Sequence, residues 1–435
     1  MSRSLQWTAV AMAALLAASP LAAQTPPART LVHAGTLIDG TGGPPRQRVT
    51  LVIEGERVAR IEDGFRTAGP GEKVLDMKAG WVLPGFIDLH VHLGTESAPG
   101  AYLERFTMNP ADVALRAAAH ARTTLQAGFT TVRNLGDGYN TTVSLRDAIR
   151  RGWVEGPRIY TAGKSLATTG GHADPTNAWS DLIEGDPAAK EGVVNGPDEA
   201  AKAVRQRYKD GADLIKITAT GGVLSLARSP DAPQFTDEEL AAVVRTARDY
   251  GFAVAAHAHG TEGMKRAIRA GVTSIEHGTF MDEETIRLMK ERGTWYVPTL
   301  SAGIFVAAKA QVAGYFPEVV RPKAEKVGSQ IRDTFARAHR AGVKIAFGTD
   351  AGVGAHGDNA KEFAYMVEGG MTAAEAIHAA TGRAAQVLGA ESDVGTLAPG
   401  RYADLVGVRT DPLADVRVLA APALVVQGGK VVVTR

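Results

Sequence analysis

The middle of the chain repeats one pattern, in which a short apolar segment is followed by a loop and an amphipathic helical segment. Strands that alternate with helices in this way form a parallel sheet with helices packed on its faces. Eight segments have the length and apolar character of buried strands: FIDLHVH, FTTVRNLG, RIYTAG, DLIKITA, FAVAAHAHG, VTSIEHG, TWYVPTL and VKIAFGTD. They predict an α/β protein in which residues 84–391 close into a (β/α)8 TIM barrel. A doubly wound open sheet is the alternative, but no glycine-rich dinucleotide or phosphate-loop motif follows the first strand.

One helix of this repeat carries a clear start signal. Thr236 precedes the segment DEELAAVVRTARDYG, and Glu239 follows it by three residues. This spacing is typical of a capping box, in which the two side chains satisfy the first free amides of a helix. We therefore expect a helix to begin directly after Thr236.

The two ends of the chain have a different pattern from the middle. Residues 30–83 alternate apolar and polar side chains, with Gly or Asp-Gly at the turns, and the last residues, from GTLAPGRYADLVGV onward, do the same. Such alternation is typical of strands that are buried on one face only. We expect residues 24–83 and 392–435 to form one small β-sandwich domain built from both ends of the chain.

The first 23 residues read as a secretory signal peptide. Arg3 is their only charge, an apolar run includes AVAMAALLAA, and small residues follow in SPLAAQ. This order predicts cleavage after Ala23, although Leu21 departs from the usual small residue three positions before the cut. The mature protein is then exported, to the periplasm of a Gram-negative host or to the medium, with no membrane segment left. An uncleaved anchor is the alternative reading.

Charge and cysteine content exclude several kinds of partner and site. The chain has 48 Lys and Arg residues against 47 Asp and Glu residues, and it has no cysteine. A balanced charge without a basic run gives no support for nucleic acid as a partner. Without cysteine there can be no disulfide and no thiolate ligand, so any metal must be held by His, Asp, Glu or Lys.

The carboxyl ends of the predicted barrel strands carry an unusual set of polar residues. Chemistry in such barrels is found at these ends. His90 and His92 end the first strand, and because side chains alternate along a strand they point the same way. The other strand-end residues are Lys216 on the fourth strand, His257 on the fifth, His277 on the sixth and Asp350 on the eighth. Four imidazoles and a carboxylate suit zinc, iron, manganese or nickel.

Four other histidines are interpreted as structural: His33 in the β domain and His120, His339 and His378 in helical stretches.

Lys216 is the unexpected member of the strand-end set. A protonated amine beside divalent cations would be repelled and forced neutral. Carboxylation of the amine to a carbamate would make the side chain anionic and able to bridge two metals. An interior salt bridge and a Schiff-base nucleophile are the alternatives, and the position in the strand excludes neither.

The residues His-x-His, a fourth-strand Lys, two further His and a final Asp, in this order, resemble the amidohydrolase superfamily. The surrounding segments PGFIDLHVH, HAHG, EHG, GTDAG and GTLAPGRYADLVGV match as well, so the resemblance covers essentially the whole mature chain. Within the superfamily the chain is similar to the imidazolonepropionase-related branch. That branch includes metal-dependent dipeptidases and carboxypeptidases, prolidase-like enzymes and ochratoxin-hydrolysing amidases.

The resemblance implies a site with two divalent metal ions, expected to be Zn²⁺, with a hydroxide between them. His90, His92, Asp350 and a carbamate on Lys216 would surround one ion, and Lys216, His257 and His277 the other. Asp350 would act as general acid and base. The resemblance also implies a homo-oligomer, with an octamer as the expected state.

Three further residues are candidates for substrate contacts. The resemblance implies that His172, in the loop SLATTGGHADP, faces the substrate as a catalytic donor; a purely structural role in a glycine-rich turn is the alternative. His259 shares the face of His257 and is interpreted as lying beside the metals or the substrate. Arg228, in GGVLSLARSPDAPQF, could bind a substrate carboxylate, unless it is simply solvated.

These features predict a binuclear metal-dependent hydrolase that cleaves the amide bond of dipeptides or N-acyl amino acids, including ochratoxin-type N-acyl-phenylalanine. Hydrolysis of a cyclic amide, a lactone or a phosphotriester is an alternative within enzymes. An exported metal-binding module without turnover is the alternative from another class, and the presence of all six ligand positions argues against it. The preferred side chain and the native metal are left open by the sequence.

Overall fold

A computed structural model describes residues 29–435, so the predicted signal peptide and its cleavage site lie outside the described residues. The strands are β1 Arg29–Leu37, β2 Arg46–Glu54, β3 Arg57–Asp63, β4 Lys73–Pro84, β5 Phe86–Val91, β6 Phe129–Asn134, β7 Arg158–Thr161, β8 Ile215–Thr218, β9 Val254–Ala258, β10 Ser274–His277, β11 Trp295–Val297, β12 Leu405–Val408, β13 Leu424–Gln427 and β14 Lys430–Thr434.

Helices separate most of the central strands. They are α1 Glu104–Thr107, α2 Pro110–Gln126, α3 Thr141–Arg150, α4 Pro197–Asp210, α5 Asp237–Asp249, α6 Thr261–Ala270, α7 Glu283–Arg292, α8 Leu300–Ala310, α9 Arg321–Arg340, α10 Lys361–Glu368, α11 Ala373–Ala379 and α12 Gly382–Leu388. Short 3-10 helices cover Ala101–Leu103 and Val416–Ala420. Within residues 29–435, no helix has both the length and the apolar character required to cross a membrane.

The capping box predicted at α5 is confirmed. The hydroxyl of Thr236 accepts a hydrogen bond from the amide of Glu239 at 3.2 Å, and the carboxylate of Glu239 accepts one from the amide of Thr236 at 2.8 Å. Two of the free amides at the helix start are thereby satisfied, so α5 begins at the expected residue.

Strands from both ends of the chain form one seven-stranded sheet, in the order β14-β13-β12-β4-β1-β2-β3. The central pairing joins β4 to β12 in antiparallel register, with Pro84 opposite Leu405. One face of this sheet is packed with aliphatic side chains such as Val32, Leu51 and Val426, which are fully buried. The two chain ends therefore meet as expected, while the sandwich form and the domain boundaries stay predictions.

The remaining strands are all parallel and fall into two sheets. One has the order β5-β6-β7 and the other β11-β10-β9-β8. The extended residues 343–351 lie between β11 and β5, since Tyr296 N donates to Lys344 O at 2.8 Å and Leu89 N donates to Phe347 O at 3.1 Å. A single bridge between Leu166 and Ile217 links the segment after β7 to β8. The mixed α/β fold is confirmed, but the regular strand pairing does not show a clear eight-stranded barrel, which stays a prediction.

An aromatic cluster packs at the amino ends of β5 and β6. The fully buried rings of Phe86, Phe129, Phe347 and Phe363 have centroids between 4.6 and 6.4 Å apart. Aromatic packing at these distances contributes beyond the burial of area alone. The apolar side chains thus fill one end of the strands and leave the carboxyl ends to the polar residues.

Candidate metal centre

A cavity of about 350 Å³ opens at the carboxyl ends of the parallel strands. All six predicted metal ligands line it: His90, His92, Lys216, His257, His277 and Asp350. His172 and His259 line the same cavity, whereas Arg228 is exposed and is not among its lining residues. The structure therefore brings together residues from strands that are up to 260 positions apart in the chain.

The histidine rings lie in contact with one another. The ring centroids are 5.3 Å apart for His90 and His92, 5.0 Å for His90 and His277, and 4.6 Å for His257 and His277. Asp350 Oδ1 lies 3.4 Å from His90 Nε2 and 3.3 Å from His92 Nε2. One oxygen atom thus faces the ring nitrogens of both residues of the His-x-His motif.

Each of the four histidines has one ring nitrogen held by an oxygen atom outside the cavity centre. His90 Nδ1 lies 3.0 Å from Glu276 Oε2, His92 Nδ1 3.2 Å from Gly136 O, His257 Nε2 3.0 Å from Gly221 O and His277 Nδ1 2.7 Å from Thr299 Oγ1. Carbonyl and carboxylate oxygens only accept, so His90, His92 and His257 donate there, whereas the Thr299 hydroxyl can either accept from His277 or donate to it. In a neutral ring that donates in this way the other nitrogen carries a lone pair, which is how histidine ligands are oriented in metal sites.

The charges of the site favour neutral imidazoles and an ionised carboxylate. Burial, together with the positive charge of Lys216, lowers the pKa of His90 to about 4. Burial also lowers the pKa values of His257 and His277 well below the ordinary range. Burial by itself would raise the pKa of Asp350, but the neighbouring imidazoles and Lys216 outweigh it, and the net pKa is lowered.

The side chains present therefore fit a divalent metal ion. Asp350 Oδ1 is buried and has no hydrogen-bond partner. One ligand atom from each of His90, His277 and Asp350 lies within 4.8 Å of the others. Lone pairs of imidazoles and a carboxylate that face each other repel, and a cation between them removes the repulsion.

Lys216 lies in this cluster with its Nζ atom 3.5 Å from His90 Nε2. Burial lowers the pKa of Lys216 to about 8, so a neutral amine is accessible near neutral pH. In residues 29–435, no carboxylate oxygen lies within 4.0 Å of this amine, which leaves the salt-bridge alternative without a partner. A neutral buried amine is compatible with the carbamate and with the Schiff-base alternative.

The backbone is strained where three of these strands end. His277, Thr299 and Asp350 have φ angles of 69°, 51° and 59°. Non-glycine residues in this left-handed region cost of order 1–3 kcal/mol each and are concentrated at functional sites. All three residues line the cavity, and the Thr299 hydroxyl lies 2.7 Å from His277 Nδ1.

The carboxylate of Glu276, which contacts His90, also forms a buried ion pair with Arg133. Arg133 Nη2 donates to Glu276 Oε1 at 2.8 Å, and Arg133 Nε donates to Leu89 O at 2.6 Å. Burial raises the pKa of Glu276, but the Arg133 charge more than compensates and the pKa falls to about 2. The sequence interpretation missed both residues. Glu276 could have been found from the sequence, because a charged residue inside a buried strand such as SIEHG needs a partner.

His172 lies against the ligand cluster and keeps one free nitrogen. Its ring stacks on His257 with centroids 4.3 Å apart, and its Nδ1 atom has no hydrogen-bond partner. A Cβ atom on Gly222 would lie 2.2 Å from the His172 ring, so only glycine allows this approach. His259 is held by Thr279, whose Oγ1 lies 2.8 Å from its Nδ1, and it stacks on His277.

A buried lysine forms hydrogen bonds to the loop that contains Arg228. Lys323 Nζ donates to the carbonyl oxygens of Gly222, Ser225 and Ala227, at 3.3, 2.6 and 2.8 Å. Burial lowers the pKa of Lys323 to about 8. Arg228 is exposed and does not line the cavity, whereas Arg105 from α1 does. The proposed contact of Arg228 with a substrate carboxylate stays a prediction.

The fold and the cluster define a class of protein: a mixed α/β protein with metal-ligand side chains at the carboxyl ends of its parallel strands. A model of the Amidohydrolase family matches residues 81–432, and the chain belongs to that family. Its relatives include enzymes that act on amide bonds, and the chain is itself a hydrolase of amide bonds.

Three relatives illustrate the similarity. A Xaa-Pro dipeptidase, solved with methionine in its active site, is 53% identical with a TM-score of 0.91, covering 93% of this chain and 99% of that one. A prolidase solved with N-methylphosphonate-L-proline is 32% identical with a TM-score of 0.85, covering 94% and 100%. Ochratoxinase of Aspergillus niger is 34% identical over 427 residues, 92% of this chain and 86% of the relative.

Glu276→Gln should lower the affinity of the site for metal by about 10–100-fold, because an amide cannot hold the His90 ring and neutralise Arg133 as the carboxylate does. Metal content after dialysis against graded metal buffers measures this, with the unfolding temperature recorded beside it. Glu262→Gln is the matched control, since Glu262 pairs with Arg266 in the exposed part of α6. Unchanged metal binding in Glu276→Gln would contradict the orienting role.

Chelated protein should lose stability as the pH falls from about 6.5 to about 4. Histidine titrates near 6.5 when unfolded, whereas burial lowers the pKa values of His90 and His259 to about 4 in the folded chain. Between these values the unfolded state binds more protons, so each such group removes about 1.4 kcal/mol per pH unit. Urea unfolding at several pH values measures the slope. His259→Asn should flatten it, and equal slopes in both proteins would contradict a neutral buried His259.

Proposed function

We propose that this chain is a binuclear metal-dependent amidase that releases an amino acid from dipeptides or N-acyl amino acids. One observation carries the proposal: Asp350 Oδ1, which is buried and accepts no hydrogen bond, lies 3.4 Å from His90 Nε2 and 3.3 Å from His92 Nε2. Such a set has a purpose only around a cation, and the family to which the chain belongs acts on amide bonds.

The metal ligands would be the strand-end residues already described. His90, His92 and Asp350 would hold one ion, His257 and His277 the other, and a carbamate on Lys216 would bridge them. Nitrogen and oxygen ligands of this kind suit Zn²⁺, the metal we propose. The depressed pKa of Lys216 supports the carbamate, because only the neutral amine reacts with carbon dioxide.

Bound divalent ions would polarise the scissile carbonyl and make a nearby water acidic enough to attack it. The protein's own part is proton transfer and positioning. Asp350 Oδ1 would take a proton from the attacking water and pass it to the nitrogen of the leaving amine, since an amide nitrogen leaves only when protonated. His172 would donate a hydrogen bond to the substrate through a ring N–H, because its pKa of about 3 keeps the ring neutral.

Part of the cavity lining is apolar and suits an apolar substrate side chain. Its residues come from α8, α9 and the loop before α5, and they are Val223, Leu224, Val306, Val327 and Ile331. The cationic residues that line the cavity are Lys216 and Arg105, so Arg105 is the better placed group for a terminal carboxylate. The methionine bound in the active site of the Xaa-Pro dipeptidase relative supports an amino acid as the product.

The wider arrangement of the protein is part of the same proposal. We propose that the two parallel sheets and residues 343–351 together form the barrel expected from the sequence. Export through the signal peptide and assembly into a homo-oligomer are likewise proposed from the sequence and the family resemblance.

Lys216→Ala should lose both metal and activity, because the bridging anion is removed. Short carboxylic acids added to the variant should restore part of both, since a carboxylate can take the place of the carbamate. Metal content and the rate of dipeptide hydrolysis are measured in parallel, with ethylamine as the matched addition. Rescue by the amine and not by the acid would contradict the carbamate and favour a free lysine.

The substrate class is tested by removing the free carboxylate from dipeptides with an apolar C-terminal residue. Converting it to a methyl ester or a primary amide should lower kcat/KM at least about tenfold, since a charge-assisted hydrogen bond is lost. Arg105→Met should remove most of that difference, and His172→Ala should reduce it. Arg228→Met is the matched control and should keep the difference if Arg228 stays outside the cavity.

Equal rates for acids, esters and amides would contradict a site built around a terminal carboxylate. A cyclic amide or a lactone would then be the better substrate class. Loss of discrimination in Arg228→Met alone would assign the carboxylate to Arg228, as the sequence first suggested.

A further inference from the structure

A second group of metal-ligand side chains lies outside the six predicted ligands. It consists of Glu96 in the loop after β5, His120 in α2 and His356 in the loop after residues 343–351. The sequence interpretation took His120 as structural and gave no role to Glu96 or His356. One ligand atom from each of the three lies within 4.8 Å of the others.

Backbone carbonyls orient both imidazoles toward this group. His120 Nδ1 lies 2.9 Å from Leu93 O, and His356 Nε2 lies 3.0 Å from Thr95 O. A carbonyl only accepts, so each ring donates there and keeps a lone pair on its other nitrogen. The two histidines therefore present His120 Nε2 and His356 Nδ1 as free acceptors, the arrangement that carbonyl partners impose on metal-bound histidines.

One of the two acceptor atoms is buried and unpaired, and the other faces a carboxylate. His356 Nδ1 is buried without a hydrogen-bond partner, and His120 Nε2 lies 4.0 Å from Glu96 Oε2. The two rings stack with centroids 4.2 Å apart and planes inclined by 25°. Stacking accounts for the contact of the rings, but it does not account for acceptor atoms that converge on a carboxylate. A cation accounts for both.

We propose that Glu96, His120 and His356 bind one divalent transition-metal ion, of which Zn²⁺ is the best match to two imidazoles and a carboxylate. Three protein ligands leave a coordination position open for water. Glu96 also lines the main cavity, so the ion would lie at its rim.

The ion would brace the loops that carry the main site. Glu96 follows His92 by four residues, and His356 follows Asp350 by six. The two loops already meet, since the amide of His356 donates to Glu96 Oε2 at 2.9 Å. A metal ion would add His120 of α2 to this contact and hold the rim of the cavity in one position.

Equilibrium dialysis of the whole purified protein against buffered Zn²⁺, followed by elemental analysis, tests the proposal. Glu96→Gln and His356→Asn should each bind one equivalent of zinc fewer per chain than the wild-type protein. Glu96→Gln is isosteric and still accepts the hydrogen bond from the His356 amide, so it should fold normally. The readout is a difference of one equivalent, which does not depend on how many ions the main site holds.

His339→Asn is the matched control, because His339 on α9 forms another His-Glu pair, with its Nε2 atom 3.6 Å from Glu375 Oε1 on α11. It should bind as much zinc as the wild-type protein. Thermal unfolding gives a second readout: Zn²⁺ should raise the Tm of the wild-type protein more than that of Glu96→Gln. Equal zinc content in Glu96→Gln and wild-type protein would overturn the proposal, as would an equal loss in His339→Asn.

Discussion

The buried ion pair between Arg133 and Glu276 is the interaction on which the rest of the site depends. Arg133 lies on β6 and Glu276 on β10, so the pair connects the three-stranded and the four-stranded parallel sheets. The other oxygen of Glu276 contacts the His90 ring, which brings β5 into the same network. A buried ion pair costs desolvation energy and is tolerated when its geometry and its additional hydrogen bonds are good, as they are here.

From this pair outward, an oxygen atom holds one ring nitrogen of each of the four histidine ligands. Burial lowers the pKa values of His90, His257 and His277, which favours their neutral rings. His277 and Asp350 also have backbone angles in the left-handed region, which is unusual for non-glycine residues and is concentrated at functional sites. A cation bound between these acceptors would remove the repulsion between their lone pairs.

Hydrogen bonds with distant side chains also hold the loops around this centre. Lys323 fixes the loop from Gly222 to Ala227 through three carbonyl oxygens, and the glycine at 222 lets His172 come close. The contact between Glu96 and the His356 amide joins the loops that follow His92 and Asp350. A rim of this kind suits an enzyme whose specificity depends on loops supported by rigid strands.

The sequence by itself determined which residues could be ligands and the class of fold that carries them. Alternation along a strand puts His90 and His92 on one face, and the repeat of strands and helices puts Lys216, His257, His277 and Asp350 at the same end. These are local rules, and they need only neighbouring residues. The tertiary structure alone decided that Arg133 and Glu276 meet across 143 positions, that His120 faces Glu96 and His356, and that Arg105 rather than Arg228 lines the cavity. Each of these depends on the path of a loop or on packing between distant segments, which no local periodicity specifies.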